Sequence, residues 1–306
     1  MKNPLLPDSL TNAVVSALRE TGDTSPISAA ERAAGGYSNQ AVRLVTDRAS
    51  YLLKWDERSR PGMFPTEARG LDLLRHVGGM RVPEVLTVAD PMGETPGFIL
   101  EEWVDVQPAD LYWQSGPRYG ERIAHLHRTS AATSVPGYGL DHDNYVGNTP
   151  QSNAWNTDWV CFYRDQRLRP LVEMAAQMDL LPVDRRHRLE RLMERLAEWL
   201  GGVERRPVLL HGDLWRGNVL FDASGEPVLI DPAVCWGDRE FDLATAAIYE
   251  PAPNGFYDAY HEIWPIAAGF FERRDLHNLY LLLCCVTGDG NDFGAQIDAV
   301  LQRYVG

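Results

Sequence analysis

Between two apolar runs, the stretch LLHGDLWRGNVLF (209–221) sets an acid, Asp213, and an amide, Asn218, five residues apart. A chain that only had to turn would use Gly, Asn or Asp and move on. A second acid, Asp231, closes the next strand-like run, PVLID. A carboxylate placed beside a hydroxyl can orient it or take its proton. An amide oxygen and a carboxylate are hard donors suited to Mg²⁺. Asn218 and Asp231 stand on either side of an expected hairpin, so they can converge on one ion. Asp213 is therefore expected as the base, and Asn218 and Asp231 as metal ligands. His211 is expected to hold the loop, and Asp238 and Asp242 to brace its backbone or cap a helix. Each residue has a structural alternative when taken singly, as turn former, strand start or cap.

Upstream, Lys54 in the run YLLKW alternates with Tyr51 and Leu53, which puts it on the face of Leu52. On a helical wheel, Glu67 falls in the same arc as Leu71 and Leu74, away from Arg69, Asp72, Arg75 and His76. A carboxylate on an apolar face is costly without a cation. Lys54 is the expected partner. A further candidate is AGGYSNQ (34–40), where Gly35 and Gly36 allow close backbone approach and Ser38 adds a hydroxyl that could cover phosphates. It matches neither a dinucleotide fingerprint nor a Walker motif, and an ordinary glycine turn is its alternative.

The elements that must position these groups fall into two kinds. Residues 8–20 read as a helix capped by Asp8 or Ser9. Short β-like runs follow, with one helix, EARGLDLLRHV, that Thr66 can cap and Gly78-Gly79 closes. The strand pattern persists to about residue 103. After it come helical patterns at 117–130, over NTDWVCFYRDQRLRPLVEMAAQ, and from Asp184 to Leu200, where Leu189, Leu192, Met193, Leu196 and Leu200 form one apolar stripe. The expected fold class is α+β, with a mainly β, nucleotide-binding N-lobe at 1–103 and a mainly α, catalytic C-lobe at 104–306. A cleft between the two is where a ligand belongs.

Composition narrows the partners. With 44% apolar and 24% charged residues, the chain can build a sizeable core. A net charge of −14 argues against nucleic acid and against an anionic membrane surface. The longest apolar block, LYLLLCCV, is far shorter than a membrane helix, which needs roughly 20 residues. Cys161, Cys235, Cys284 and Cys285 form no C-x-x-C pair, which suggests a reduced, cytoplasmic setting. No Cys/His spacing suggests structural zinc.

The segments FPTEARGL, PGFILEEWV, NTPQSNAWNTDWVCFYRDQRLRP, LLHGDLWRGNVLF and LIDPAVCWGDREFDLA resemble the fructosamine/ketosamine kinase family, within the wider aminoglycoside- and choline-phosphotransferase group of protein-kinase-like folds. The interval from Asp213 to Asn218 is that of the kinase catalytic loop. Trp215 directly after His-Gly-Asp-Leu, the Asp-Trp-x-x-Phe-Tyr run at 158–163 and Asp-Pro-Ala at 231–233 discriminate most, because general aminoglycoside kinases carry an aromatic residue where this chain has Pro232. The resemblance implies transfer of the γ-phosphate of ATP, with Mg²⁺, to the third-carbon hydroxyl of a ketosamine. The ester then destabilises the sugar–amine adduct, a deglycation repair. It also implies that Glu102 and Val104 offer backbone groups to adenine and that Lys54, held by Glu67, meets the phosphates. Trp215 would stack on the sugar, and Trp155 and Asp158 would add to the acceptor pocket, helix packing being their alternative. The acceptor would be a small glycated amine or a glycated protein side chain. Some family members carry a cysteine in the glycine loop; Gly36-Tyr37-Ser38 has none, so redox switching there is not expected. The alternatives are a phosphotransferase for another hydroxylated amine, of aminoglycoside or choline type, and a catalytically silent nucleotide-binding scaffold.

Overall fold

The computed structural model describes residues 5–33, 40–105, 110–288 and 293–306. Helix α1 (Asp8–Glu20) leads into strands β1 (Ala29–Arg32), β2 (Gln40–Val45) and β3 (Ser50–Asp56). Helix α2 (Met63–His76), β4 (Val85–Ala89) and β5 (Gly97–Glu102) complete an antiparallel sheet in the order β1-β2-β3-β5-β4. Period-2 burial builds one side of it: Val42, Leu44, Leu53, Trp55, Phe98 and Leu100 close over Leu10, Val14 and Leu18 of α1. The register pairs Lys54 with Ile99 and Leu52 with Glu101, so all four side chains share the other face.

From Asp110 onward helices dominate. They are α3 (Asp110–Gln114), α4 (Gly116–Ser130), α5 (Trp159–Phe162), α6 (Arg169–Gln177), α7 (Val183–Leu200), α8 (Glu240–Thr245), α9 (Phe256–Ile263), α10 (Phe270–Gly288) and α11 (Gly294–Val305). Three two-stranded sheets are set among them: β6 (Asn144–Val146) with β7 (Thr149–Gln151), β8 (Val208–Leu210) with β11 (Cys235–Gly237), and β9 (Val219–Phe221) with β10 (Pro227–Leu229). The expected stripe of α7 is buried throughout. LYLLLCCV is a buried stretch of α10, and no helix among the described residues is long and apolar enough to cross a membrane.

Helix starts differ from expectation. The residues preceding α1, α2 and α7 are Pro7, Gly62 and Pro182, and none of the three supplies a side-chain cap. Proline holds φ at about −65°, so the starts of α1 and α7 are fixed by backbone geometry in place of a side-chain oxygen. Thr66 lies inside the first turn of α2, where its hydroxyl donates to Met63 O. A π turn, Tyr163–Leu168, joins α5 to α6. Pro170 follows just after it and has no N–H to donate back to Gln166, within the π turn.

One apolar cluster spans both parts of the chain. Phe64, Leu71 and Leu74 of α2 and Ile99 of β5 pack with Tyr119, Ile123 and Leu126 of α4 and with Leu209, Val219 and Leu229. Burying such a side chain stabilises by about 1.5–3 kcal/mol. The Leu229 N–H also donates to Arg81 O at 3.0 Å. The sheet that carries Lys54 is thus tied to the hairpin that carries Asn218 and Asp231.

Candidate active site

The β9–β10 hairpin pairs Val219 with Leu229, so the residues just outside it, Asn218 and Ile230, are neighbours, and Ile230 N–H donates to Asn218 O at 3.1 Å. Asp231 follows with φ of 51°, a left-handed conformation that is unusual away from glycine. Strain of this kind persists where surrounding structure enforces it and gathers at functional sites. The Asp231 side chain is 39% exposed.

The loop between β8 and β9 is braced from beneath. Asp242 of α8 accepts His211 N–H at 2.7 Å and Gly212 N–H at 3.0 Å. His211 is fully buried. Its Nε2 meets Ile230 O at 3.0 Å, and its Nδ1 accepts Asp213 N–H at 3.2 Å. Those partners require a neutral ring with the proton on Nε2, and burial lowers its pKa in agreement. His211 and Asp242 therefore hold the loop. Asp238 accepts Glu240 N–H at the start of α8 and is held by Arg205. Gly212 has φ of 82°, and a Cβ there would lie 2.0 Å from Ala233 O, so only glycine fits.

Asp213 accepts the Asn218 amide N–H at 2.8 Å, and that amide also donates to Asp213 O at 2.9 Å. The Asn218 Nδ2 is thereby occupied, which leaves its Oδ1 without a protein partner among the described residues. Burial pushes the Asp213 pKa up to about 7; the Asn218 bond opposes this, and the charges of Asp231 and Asp242 add to it. Trp215 also bonds the Asp213 side chain, and its ring stands perpendicular to that of Tyr249 with centroids 5.5 Å apart. Its indole folds over Gly217, where a Cβ would come within 2.2 Å of the ring.

Across the cavity, Lys54 Nζ lies 2.5 Å from Glu67 Oε1, 2.6 Å from Asp231 Oδ1 and 3.2 Å from Glu101 Oε2. The partnership of Lys54 with Glu67 follows from the wheel argument. Glu101 does not: it is fully buried, and among the described residues its carboxylate oxygens make no well-aligned hydrogen bond, so the Lys54 ammonium meets it as an ion pair. Burial alone would lower the Lys54 pKa; Asp231, Glu101 and Glu67 outweigh it and hold the ammonium well above its ordinary value. Burial raises Glu67 and lifts Glu101 to about 7, with Lys54 opposing both shifts.

Lys54, Glu67, Asp213, Trp215, Asn218 and Asp231 line a single cavity of about 1060 Å³. Leu52, Glu102, Trp103 and Val104 line it too, and Lys54 touches Asp231 directly. Glu102 donates its N–H to Glu84 O, and its carboxylate accepts from Arg81. Tyr249, Glu250, Cys285 and Phe293 also line it, none of them expected from the sequence, with Tyr249 in contact with Trp215, Cys285 and Phe293. Their signal lies in convergence of the stretch after α8 with α10 and α11, which no local spacing reveals. Trp155 and Asp158 do not line the cavity. The Asp158 carboxylate instead caps α5, accepting Cys161 N–H at 2.8 Å. Gly35, Gly36 and Ser38 lie outside the described residues.

A separate buried group, Asp238, Glu240 and His277, has its ligand atoms close together. Arg205 holds Asp238, and Arg273 holds both oxygens of Glu240 at 2.9 and 2.6 Å. Those guanidinium charges already neutralise the acids, so the group is structural.

Known proteins are similar to this chain over nearly its whole length. A protein-family model described as fructosamine kinase matches residues 10–306. A probable ketoamine kinase of Lactiplantibacillus plantarum is 36% identical over 270 residues, covering 88% of this chain and 92% of that protein. The chloroplastic protein-ribulosamine 3-kinase of Oryza sativa subsp. japonica is 35% identical over 289 residues, covering 93% and 81%. A solved structure of a candidate fructosamine-3-kinase from Haemophilus somnus superposes with a TM-score of 0.83 at 27% identity, with 97% of each chain covered. Aminoglycoside phosphotransferase APH(4)-Ia, at 16% identity and a TM-score of 0.63 over 97% of this chain and 99% of its own, shares the fold. The architecture is thus the α+β, protein-kinase-like one, and with a family model matched from residue 10 to the last residue, the chain belongs to the fructosamine kinase family.

Proposed function

We propose that the chain transfers the γ-phosphate of ATP to a sugar hydroxyl of a ketosamine, the adduct of a sugar and an amine. The observation that carries this is the convergence of Lys54, Glu67, Asp213, Asn218 and Asp231 on one cavity in a member of this family. In the proposed roles, Glu67 aims the Lys54 ammonium at the phosphates, and Glu102 and Val104 flank the adenine. Gly35, Gly36 and Ser38 are proposed to cover the phosphates.

Asp213 takes the proton of the acceptor hydroxyl as its oxygen bonds to the γ-phosphorus and the bond to ADP breaks. A group with a pKa raised toward neutrality suits that task. The donors at hand fit Mg²⁺: the unpartnered amide oxygen of Asn218 and the part-exposed carboxylate of Asp231 are both hard oxygens. Bound there, Mg²⁺ would neutralise charge on the transferring phosphoryl group. In a chain of net charge −14, Lys54 and such an ion supply the local positive field that a triphosphate needs. Trp215, with Tyr249 beside it, offers an apolar face to the sugar ring. Trp155 and Asp158, away from the cavity, carry no part of this reading.

The ester would labilise the adduct, which makes the reaction a deglycation repair, and cysteines that form no disulfide among the described residues suit a reducing cytoplasm. Incubation with ATP, Mg²⁺ and a panel of acceptors tests the reading. Fructosyl- and ribulosyl-amines should be phosphorylated, and kanamycin and choline refused. Transfer to kanamycin or choline but not to any ketosamine would overturn it.

A further inference from the structure

The cavity contains one ion pair that the transfer chemistry leaves unused. Arg216 follows Trp215, Glu250 follows Tyr249, and both side chains line the cavity. Arg216 Nη1 lies 3.1 and 2.9 Å from the two Glu250 oxygens. The guanidinium is held over the rings of Tyr112 and Trp113, 5.1 and 5.3 Å from their centroids, in cation–π geometry. Its Nε and Nη2 have no protein partner among the described residues. The two side chains are 31% and 35% exposed. A pair so open to solvent contributes little, so it separates at small cost. Among the described lining residues only Lys54 and Arg216 are cationic, and Lys54 is committed to three carboxylates.

A sugar resting on Trp215 with its hydroxyl at Asp213 must send its amine substituent onward. The Trp215 and Tyr249 rings are in contact, so the next residue of each segment, Arg216 and Glu250, forms the adjoining wall. We propose that this pair selects the ketosamine of a free α-amino acid: Glu250 takes the secondary ammonium and Arg216 the carboxylate. The two charges of an α-amino acid hang from one carbon on bonds of about 1.5 Å, so they lie about as close together as the two charges they would separate and replace. A guanidinium fork with unspent donors suits a carboxylate. A lysine glycated on its side chain within a protein brings an ammonium but no carboxylate to that place. This inference rests on the ketosamine reading.

The test compares kcat/KM for the fructosyl adduct of glycine with that of glycinamide, in the wild type and in Arg216→Ala, Arg216→Lys and Glu250→Gln. A charge-assisted contact is worth roughly 10–100-fold, so the wild type should prefer the acid by that factor. Arg216→Ala should bring the ratio close to one, and Arg216→Lys should restore part of it. Assayed at a pH low enough to protonate both amines, Glu250→Gln should raise KM for acid and amide together, because both then carry the ammonium. Each ratio is taken within one preparation, so it does not depend on how much of a variant folds. Equal use of acid and amide by the wild type overturns this inference alone. So does an Arg216→Ala enzyme that is slower with both but keeps the preference, since Arg216 would then act on the phosphate or only on the loop. No transfer to either adduct overturns the ketosamine reading and this inference with it.

Discussion

Replacing Lys54 by Met removes one charge from the most crowded ionic site in the cavity while keeping most of the side-chain volume. Glu67, Asp231 and Glu101 lie 2.5, 2.6 and 3.2 Å from its Nζ. Removing one partner of a buried pair costs about 3–5 kcal/mol, because the other charge is left uncompensated. Asp231 is 39% exposed and is rescued by water. Glu67 and Glu101 are nearly enclosed, and they escape the penalty by binding protons. Their pKa values are already raised in the native protein and rise further without the lysine. A carboxyl whose folded pKa is raised stabilises fully below its unfolded pKa and loses that contribution as pH climbs through the folded value. The cost of Lys54→Met is therefore largest at pH 8 and falls toward pH 5. At about 2 °C per kcal/mol for a chain of this size, the Tm of the nucleotide-free protein should drop by roughly 6–10 °C at pH 8 and by less than about half of that at pH 5. Calorimetry at the two pH values decides it. An equal drop at both, or a drop under about 2 °C at pH 8, would refute the ionic reasoning.

Other outcomes follow from the same geometry. Glu101→Gln fixes the uncharged form of a group whose pKa burial lifts from 4.5 to about 7, so its Tm should exceed that of the wild type at pH 8 and match it near pH 4.5; a lower Tm at pH 8 would show that the carboxylate is needed. Asp213→Asn should lower kcat by roughly 10²–10⁴ with ATP binding nearly intact by calorimetric titration, and a near-normal kcat would remove Asp213 from the mechanism. Gly217→Ala sets a methyl group 2.2 Å from the present position of the Trp215 ring, so it should shift tryptophan fluorescence and raise KM for the ketosamine more than for ATP. An unchanged acceptor KM would detach Trp215 from the sugar.

Much of this site was legible because local periodicity and tertiary burial agree. Strand alternation put Lys54 on the face of Leu52, and the helical wheel turned Glu67 inward beside Leu71 and Leu74; the structure joins Lys54 and Glu67 at 2.5 Å. Asn218 and Asp231 are neighbours because the β9–β10 hairpin holds both its ends together. What local spacing could not show is tertiary. Glu101 shares its strand with Glu102, and only the register against Leu52 sends one toward Lys54 and leaves the other at the rim. Tyr249, Glu250 and Phe293 meet the loop through contacts between distant segments. Asp158 belongs to a run that carries the family resemblance, but its carboxylate is occupied with the α5 N-terminus. The helix start at Pro7 used backbone geometry where a side-chain cap, Asp8 or Ser9, was expected.

The most direct test is a crystal structure with Mg²⁺ and a non-hydrolysable ATP analogue. Asn218 Oδ1 and Asp231 should ligate the ion, with the Lys54 ammonium on the phosphates, still held by Glu67. A triphosphate bound in another crevice, or an ion that touches neither Asn218 nor Asp231, would contradict the account.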